Sequence, residues 1–416
     1  MPSLHNSART NLPCLLFGLS GFMFLRLLHL AFAVLLGASL PVSAAPFVPA
    51  SDAQVLERLP MAPGDPIARE LRRLRTELAA QPGNADITSR LANRYFELAM
   101  ADGDPRYVGY AEAALAPWLG RGSIPPSLHV IRGLLRQYRH DFAGALSDLE
   151  AALGADGSNV EARAWRAAIF MVQARYGNAR AECAALAPYS SELFATGCFA
   201  YVDATTGKTR AAYDTLASAL QRNTSAPARS KLWNLTRLAE MARRLGEPAA
   251  AEKHFRAALA LGLTDNFLLA AFADFLLEQN RPREVVTLLK DWARSDTLLL
   301  RLALAEARLS LPSAEKRIQA LEDRFAEAGL RGEQLHLQEE ARFRLYLGKN
   351  AAGALKLAEA NWQSQREPRD AAILIAAALA ARNPKAAKPA LDWLEESGFE
   401  DRELRRDADS IKALSR

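Results

Sequence analysis

Residues 239–258 read AEMARRLGEPAAAEKHFRAA, and the spacing of small and large side chains in this stretch decides the fold. The small residues, the turn glycine and the one large residue are Ala239, Gly246, Ala251, Phe255 and Ala258. Small residues let two helices approach closely, and a large one fills the gap to a neighbouring pair. The stretch therefore predicts two helices that are joined at Gly246 and packed against each other.

The same spacing recurs along the chain with a nearly constant period. Three further units carry it fully: Ala200, Gly207, Ala212, Leu216 and Ala219; Gly133, His140, Ala145, Leu149 and Ala152; Ala341, Gly348, Gly353, Leu357 and Ala360. A fourth carries it in part, as Ala273, Asn280, Val285, Leu289 and Trp292. Nine turn signals between Gly103 and Asn383 are separated by 35 residues on average, and those near residues 177, 311 and 383 lack the small-residue pattern. A period near 34 residues without period-two alternation predicts helix pairs and no sheet.

This pattern resembles the tetratricopeptide repeat family, whose unit places small and large residues at these positions. The resemblance implies an all-α, right-handed α-solenoid of about nine TPR-like helix hairpins over residues 65–400. It also implies that the first helix of each hairpin lines a concave groove that binds a peptide. Solenoids need polar ends, so we expect a capping helix over Pro66–Ala80 and another within residues 401–416.

The amino terminus carries an export signal. Residues 23–49 read MFLRLLHLAFAVLLGASLPVSAAPFVP, in which one arginine precedes an apolar run and small residues end at Ala44. This order predicts a signal peptide over residues 1–44, with Met23 as an alternative start, and a Pro-rich extended segment over residues 45–64. An uncleaved membrane anchor is the alternative, although the apolar run is shorter than the ~20 residues that a span requires. We expect a periplasmic protein without a further membrane span, and secretion into the medium is less favoured.

Composition and motifs argue against several classes of function. The formal net charge is +5, and charged residues make up 24% of the chain without a long run of one sign, which argues against a nucleic-acid partner. The four histidines that follow the signal have no metal-ligand spacing, and no nucleophile motif is present. The sequence therefore predicts a protein that is not an enzyme and that binds no metal and no cofactor.

The repeat register assigns a groove surface to the first helices. The candidate residues are Tyr201, Trp233, Thr236, Glu240, Arg243, Asp274, Gln338 and Arg342. Trp233 has the alternative of packing between neighbouring helices, whereas the charged candidates are favoured because solenoid cores exclude unpaired charge. We expect that exchanging the charges of Arg243 and Asp274 removes partner binding and leaves stability unchanged.

Two cysteines, Cys183 and Cys198, remain after the signal. They flank a turn on consecutive helices, where an oxidising compartment would favour a disulfide. Two buried free thiols are the alternative.

These features favour a non-catalytic periplasmic scaffold that binds a protein or peptide in its groove. The alternative is a solenoid that handles a polysaccharide or another envelope polymer, which predicts a groove rich in aromatic and acidic residues. Neither the partner nor the oligomeric state follows from the sequence.

Overall fold

The computed structural model describes residue 51 and residues 64–119, 124–332 and 335–414, and these contain α-helices and no strands. The helices are α1 (Pro66–Ala80), α2 (Ala85–Asp102), α3 (Arg106–Leu119), α4 (Pro126–Tyr138), α5 (Phe142–Ala155), α6 (Val160–Val172), α7 (Tyr176–Leu186), α8 (Glu192–Thr205), α9 (Thr209–Arg222), α10 (Ala228–Arg244), α11 (Pro248–Leu259), α12 (Asn266–Glu278), α13 (Pro282–Leu289), α14 (Asp296–Arg308), α15 (Ser313–Leu330), α16 (Leu337–Tyr346), α17 (Ala351–Ser364), α18 (Pro368–Ala380), α19 (Pro384–Ser397) and α20 (Arg402–Ala413).

Consecutive helices pack as hairpins, which confirms the all-α solenoid of TPR-like repeats. Within the described residues, α2 and α3 form hairpin 1, and each following pair forms the next, up to hairpin 9 from α18 and α19. Helix α1 packs on hairpin 1, and α20 packs on hairpin 9. Helix α20 buries Leu404, Ala408 and Ile411 on one face, so it covers the apolar end of the array.

Helix starts follow from local sequence. The side chain of Asn84 caps α2 by accepting from the amides of Asp86 and Ile87, and the side chain of Asp265 accepts from Leu268 N at 2.8 Å. Pro248 stands at the first turn of α11, where a missing amide hydrogen costs nothing. These caps and prolines fix where each helix begins.

Each hairpin turn holds one residue with positive φ. These residues are Gly103, His140, Ala174, Gly207, Gly246, Asn280, Ser310, Lys349 and Arg382. This conformation costs a residue with a β-carbon about 1–2 kcal/mol. Several of the turn residues nevertheless have one, so the turns cannot be located from glycines alone. The turn predicted at Gly177 was wrong, because Ala174 makes it and Gly177 lies in the first turn of α7. With this register, Ala167 and Ala179 take the first two small positions of hairpin 3, whereas Cys183 takes the large position and Leu186 the last small one.

Packing in hairpin 5 matches the steric argument that predicted it. Ala239, Ala251 and Ala258 are fully buried, so α10 and α11 lie close together. The ring of Phe255, also buried, lies 5.2 Å from that of Phe272 in the next hairpin, measured between ring centroids. The large position therefore joins neighbouring repeats, as expected.

The array also closes on itself, so its concave side is not an open groove. Contacts join its last part to hairpins 3 and 4: Arg366 N donates to Val172 O at 2.7 Å, Trp393 Nε1 donates to the Tyr176 hydroxyl at 2.7 Å, and Thr209 N donates to Glu400 Oε2 at 2.8 Å. Helices α2 and α12 are also in contact. A ring of hairpins thus surrounds a central space.

No helix of the described residues is long and apolar enough to cross a membrane. The predicted signal peptide over residues 1–44 and nearly all of the predicted extended segment over residues 45–64 lie outside the described residues. Both remain predictions.

Candidate binding site

The ring of hairpins encloses a cavity of about 1100 Å³, which we call the lumen. Its walls come mainly from the first helices α2, α8, α10, α12, α14, α16 and α18, together with α20. Six sequence candidates line it: Tyr201, Glu240, Arg243, Asp274, Gln338 and Arg342. The repeat register thus brought residues from four hairpins to one surface.

Two candidates do not line the lumen. Thr236 is buried, with 2% of its surface exposed, and its hydroxyl donates to Leu232 O at 2.9 Å, so its placement in a groove was wrong. Trp233 packs between helices, with its ring centroid 6.3 Å from that of Phe194. This is the alternative that the sequence left open for Trp233.

Asp274 is the centre of an ion-pair cluster on one wall. Its carboxylate lies 2.7 Å from Arg301 Nη2 and 2.7 Å from Arg342 Nη2, which links α12, α14 and α16. Burial alone would raise the pKa of Asp274, but the two guanidinium groups hold it well below its usual range. Glu339 faces Arg301 and Glu278 faces Arg342 as well, so this wall carries charges of both signs.

Arg243 joins hairpins 5 and 6 to α20. Its Nη2 lies 2.7 Å from Asp401 Oδ2, and its Nη1 lies 3.4 Å from Glu278 Oε1. Burial raises the pKa of Glu278 to about 7, and the nearby acids Glu403, Asp274 and Asp401 add to the rise while Arg243 opposes it. Because Arg243 and Asp274 are both paired within the chain, exchanging their charges should destabilise the fold, contrary to the sequence-based expectation.

Two residues that the sequence did not single out, Arg237 and Glu367, organise another part of the lumen wall. The Arg237 guanidinium lies over the rings of Tyr201 and Phe267, at 4.1 and 4.8 Å, and pairs with Glu240 at 2.9 Å. The Tyr201 hydroxyl donates to Glu367 Oε1 at 3.3 Å, across the closure, and burial raises the pKa of that hydroxyl. Glu367 is 166 residues away from Tyr201, so no local pattern could have revealed the contact.

Asp370 is a second acid near the lumen whose pKa is raised, and the rise has a structural cause. Burial raises the pKa of Asp370 to about 7, and its carboxylate accepts from Asn361 Nδ2 at 2.9 Å and from Glu367 N at 2.8 Å. The bond from Glu367 N belongs to the capping box at the start of α18. Burial and the neighbouring Glu367 carboxylate raise the pKa of Asp370, whereas its hydrogen bonds lower it, so the rise follows from the buried position.

The lumen also exposes apolar surface. Met100 and Tyr346, both on its wall, are 45% and 54% exposed. Ala271, Ala307 and Ala372 leave the helix backbones between them accessible. A mixed surface of this kind suits a ligand that has both apolar and charged groups.

Cys183 and Cys198 are joined as a disulfide, with their Cα atoms 5.7 Å apart. Cys183 lies on α7 and Cys198 on α8, so the bond crosses from hairpin 3 to hairpin 4. It thus fixes a boundary between repeats.

Comparison with known proteins gives only distant resemblances. No family model and no curated protein matches the chain. Among solved structures, yeast Tom70 shares 13% identity, with 84% of this chain and 85% of that chain covered and a TM-score of 0.40. A human IFIT1 dimer with m7Gppp-AAAA shares 14% identity over 84% and 86% of the two chains, with a TM-score of 0.45. The P58(IPK) TPR domain shares 15% identity over 84% and 98%, with a TM-score of 0.21. These values concern the helical-repeat fold alone.

Proposed function

We propose that this protein is a non-catalytic scaffold that binds an extended segment of another protein in its lumen. The observation that carries the proposal is that exposed Met100 and Tyr346 share the lumen wall with charged side chains of both signs, among them Asp274 and Arg342. A peptide offers both apolar and charged side chains to such a surface. The volume of about 1100 Å³ is at the upper limit for small-molecule pockets, which favours a larger ligand.

The proposed location is the periplasm. The residues that support it are those of the predicted signal peptide, 1–44, and the disulfide between Cys183 and Cys198. Disulfides persist in oxidising compartments and are rare in the cytosol.

The polysaccharide alternative receives less support. It requires several free acids and open aromatic faces, whereas Asp274 and Glu240 are paired with arginines and the Tyr201 ring is covered by Arg237, although Tyr346 is exposed. An enzymatic role is also less favoured, because the raised pKa values of Glu278 and Asp370 follow from burial and from neighbouring acids.

Site-specific photocrosslinking in cells tests the proposal. p-Benzoylphenylalanine replaces Tyr346, which is 54% exposed in the lumen, or Tyr110, which is 51% exposed on α3 and does not line it. Discrete crosslinked proteins should form from position 346 and not from 110. Crosslinks from position 110 alone, or equal patterns from both, would contradict binding in the lumen.

A further inference from the structure

Residues 398–401, Gly-Phe-Glu-Asp, lie between α19 and α20 and dock onto hairpins 4 and 5; we call them the latch. The approach is close. A β-carbon placed on Gly207 would lie 3.0 Å from the carbonyl oxygen of Gly398, and both glycines have positive φ. Backbone thus meets backbone where the ring closes.

Three side chains of the latch make three different contacts with the body. Phe399 is buried against Trp393 of α19, at 5.4 Å between ring centroids, and its ring lies 4.6 Å from the Arg244 guanidinium carbon. Glu400 accepts from Thr209 N at the start of α9, and Asp401 pairs with Arg243 at 2.7 Å. Cation–π contact, a carboxylate at a helix N-terminus and a charged hydrogen bond are all ways in which proteins bind peptides.

The rest of the chain neutralises the surface beneath the latch only in part, through the pairing of Glu278 with Arg243. Among the residues described, Arg244 forms no ion pair, and its one hydrogen bond goes to Ala204 O at 3.1 Å. Burial lowers the pKa of Arg244 to about 10. Glu278 faces Asp401 and Glu403 from α12, so like charges meet at the closure. The latch is therefore a contact between complementary groups that also carries a repulsive element.

We propose that the latch is an intramolecular competitor, and that the surface it covers binds a partner segment of the same chemistry, an aromatic residue followed by acidic residues. This rests on the proposed function, because Phe399, Asp401, Arg243 and Arg244 line the lumen. Covalent attachment gives the latch an effective concentration of the order of millimolar. A partner therefore binds well only when it is abundant, makes further contacts in the lumen, or meets a weakened latch.

A labelled synthetic peptide of residues 396–403, Glu-Ser-Gly-Phe-Glu-Asp-Arg-Glu, tests this inference by fluorescence anisotropy. The receptors are the wild-type chain and the chain with Phe399→Ala and Asp401→Asn, each checked for helix content by circular dichroism. We expect at least tenfold tighter binding to the latch variant. A peptide carrying Phe399→Ala should bind neither receptor, and adding Arg244→Ala to the latch variant should weaken binding at least tenfold.

Equal binding to both receptors, or no binding to a folded latch variant, would overturn the inference. So would a dimer of the latch variant that excess peptide does not dissociate, since a second copy would then be the occupant. If the latch variant does not fold, hydrogen exchange of the wild-type chain with and without excess peptide tests the inference instead. The peptide should speed exchange in α20, and unchanged exchange would reject the inference.

This experiment and the crosslinking experiment can fail separately. Crosslinks from position 346 without peptide binding would reject the latch proposal alone. Peptide binding without those crosslinks would reject the proposed binding of partners in the lumen.

Discussion

Hairpin 5 and the closure between the latch and hairpins 4 and 5 are neighbours, yet they are held together differently. Hairpin 5 is packed by residues close in sequence, with fully buried alanines and Phe255 between two helices. The closure relies on charged and polar contacts, such as that between Arg243 and Asp401, which are 158 residues apart. Local apolar packing sets the repeat, and distant polar contacts set the shape of the array.

The largest expected effect tests the apolar side of this comparison. Phe255→Ala removes a fully buried ring that contacts Phe272 and Phe275, so the free energy of unfolding should fall by about 3–5 kcal/mol. Urea denaturation followed by circular dichroism measures it. Leu330→Ala, at a residue that is 89% exposed, is the control and should change stability by less than about 0.5 kcal/mol. Similar losses in both variants would refute the packing described.

The disulfide lies between local apolar packing and the distant polar contacts of the closure, because it joins two neighbouring repeats covalently. It closes a loop with a sequence separation of 15, so reduction should lower the free energy of unfolding by about 3 kcal/mol. Denaturation with and without reductant measures this. The variant with Cys183→Ala and Cys198→Ala is the control and should not respond to reductant. If reductant does not change the free energy of unfolding of the wild-type chain, Cys183 and Cys198 are two free thiols.

Asp401→Asn tests the contribution of the polar contacts to the closure. Asparagine keeps the cap that Asp401 gives to the amides of Glu403 and Leu404 but removes the charge opposite Arg243. The closure should weaken by about 2 kcal/mol, since Arg243 retains only Glu278. Hydrogen exchange should then be about 30-fold faster in α20 and unchanged in α11. A uniform increase across all helices would mean that closure and repeats unfold as one unit.

The smallest effect is a pH dependence of the closure. Because burial raises the pKa of Glu278 to about 7, its contribution to stability is complete below its unfolded value near 4.5 and is lost as the pH rises through 7. Stability should fall by about 1 kcal/mol between pH 5.5 and 8, after allowance for partial exposure. Glu278→Gln should reduce this slope without abolishing it, because Asp370, whose pKa is also raised to about 7, keeps its own contribution.

Glu252→Gln is the matched control for that measurement. Hydrogen bonds from Arg281 and Arg256 lower the pKa of Glu252 to about 2, outside the measured range. The slope of stability against pH in the Glu252→Gln variant should equal that of the wild type. A flatter slope in this variant would contradict the assignment to Glu278.

The sequence predicted the repeats well because their determinants are local. Ala239, Gly246 and Phe255 specify a hairpin within twenty residues. It failed at Ala174, since a turn residue with a β-carbon has no compositional mark. It placed Arg243, Asp274 and Arg342 on the inner surface but did not pair them, because the approach of Asp401 to Arg243 and of Arg342 to Asp274 depends on the curvature of the whole array.

The contact between Gly207 and Gly398 has a consequence for how this chain can change in length. An open solenoid tolerates the gain or loss of a repeat, because each unit touches only its neighbours. Here a β-carbon on Gly207 would lie only 3.0 Å from Gly398 O, and this close approach requires the right number of hairpins between the two glycines. Duplicating or deleting one hairpin between α9 and α19 would move the latch away from its contacts on hairpins 4 and 5. Closure therefore fixes the repeat number of this protein.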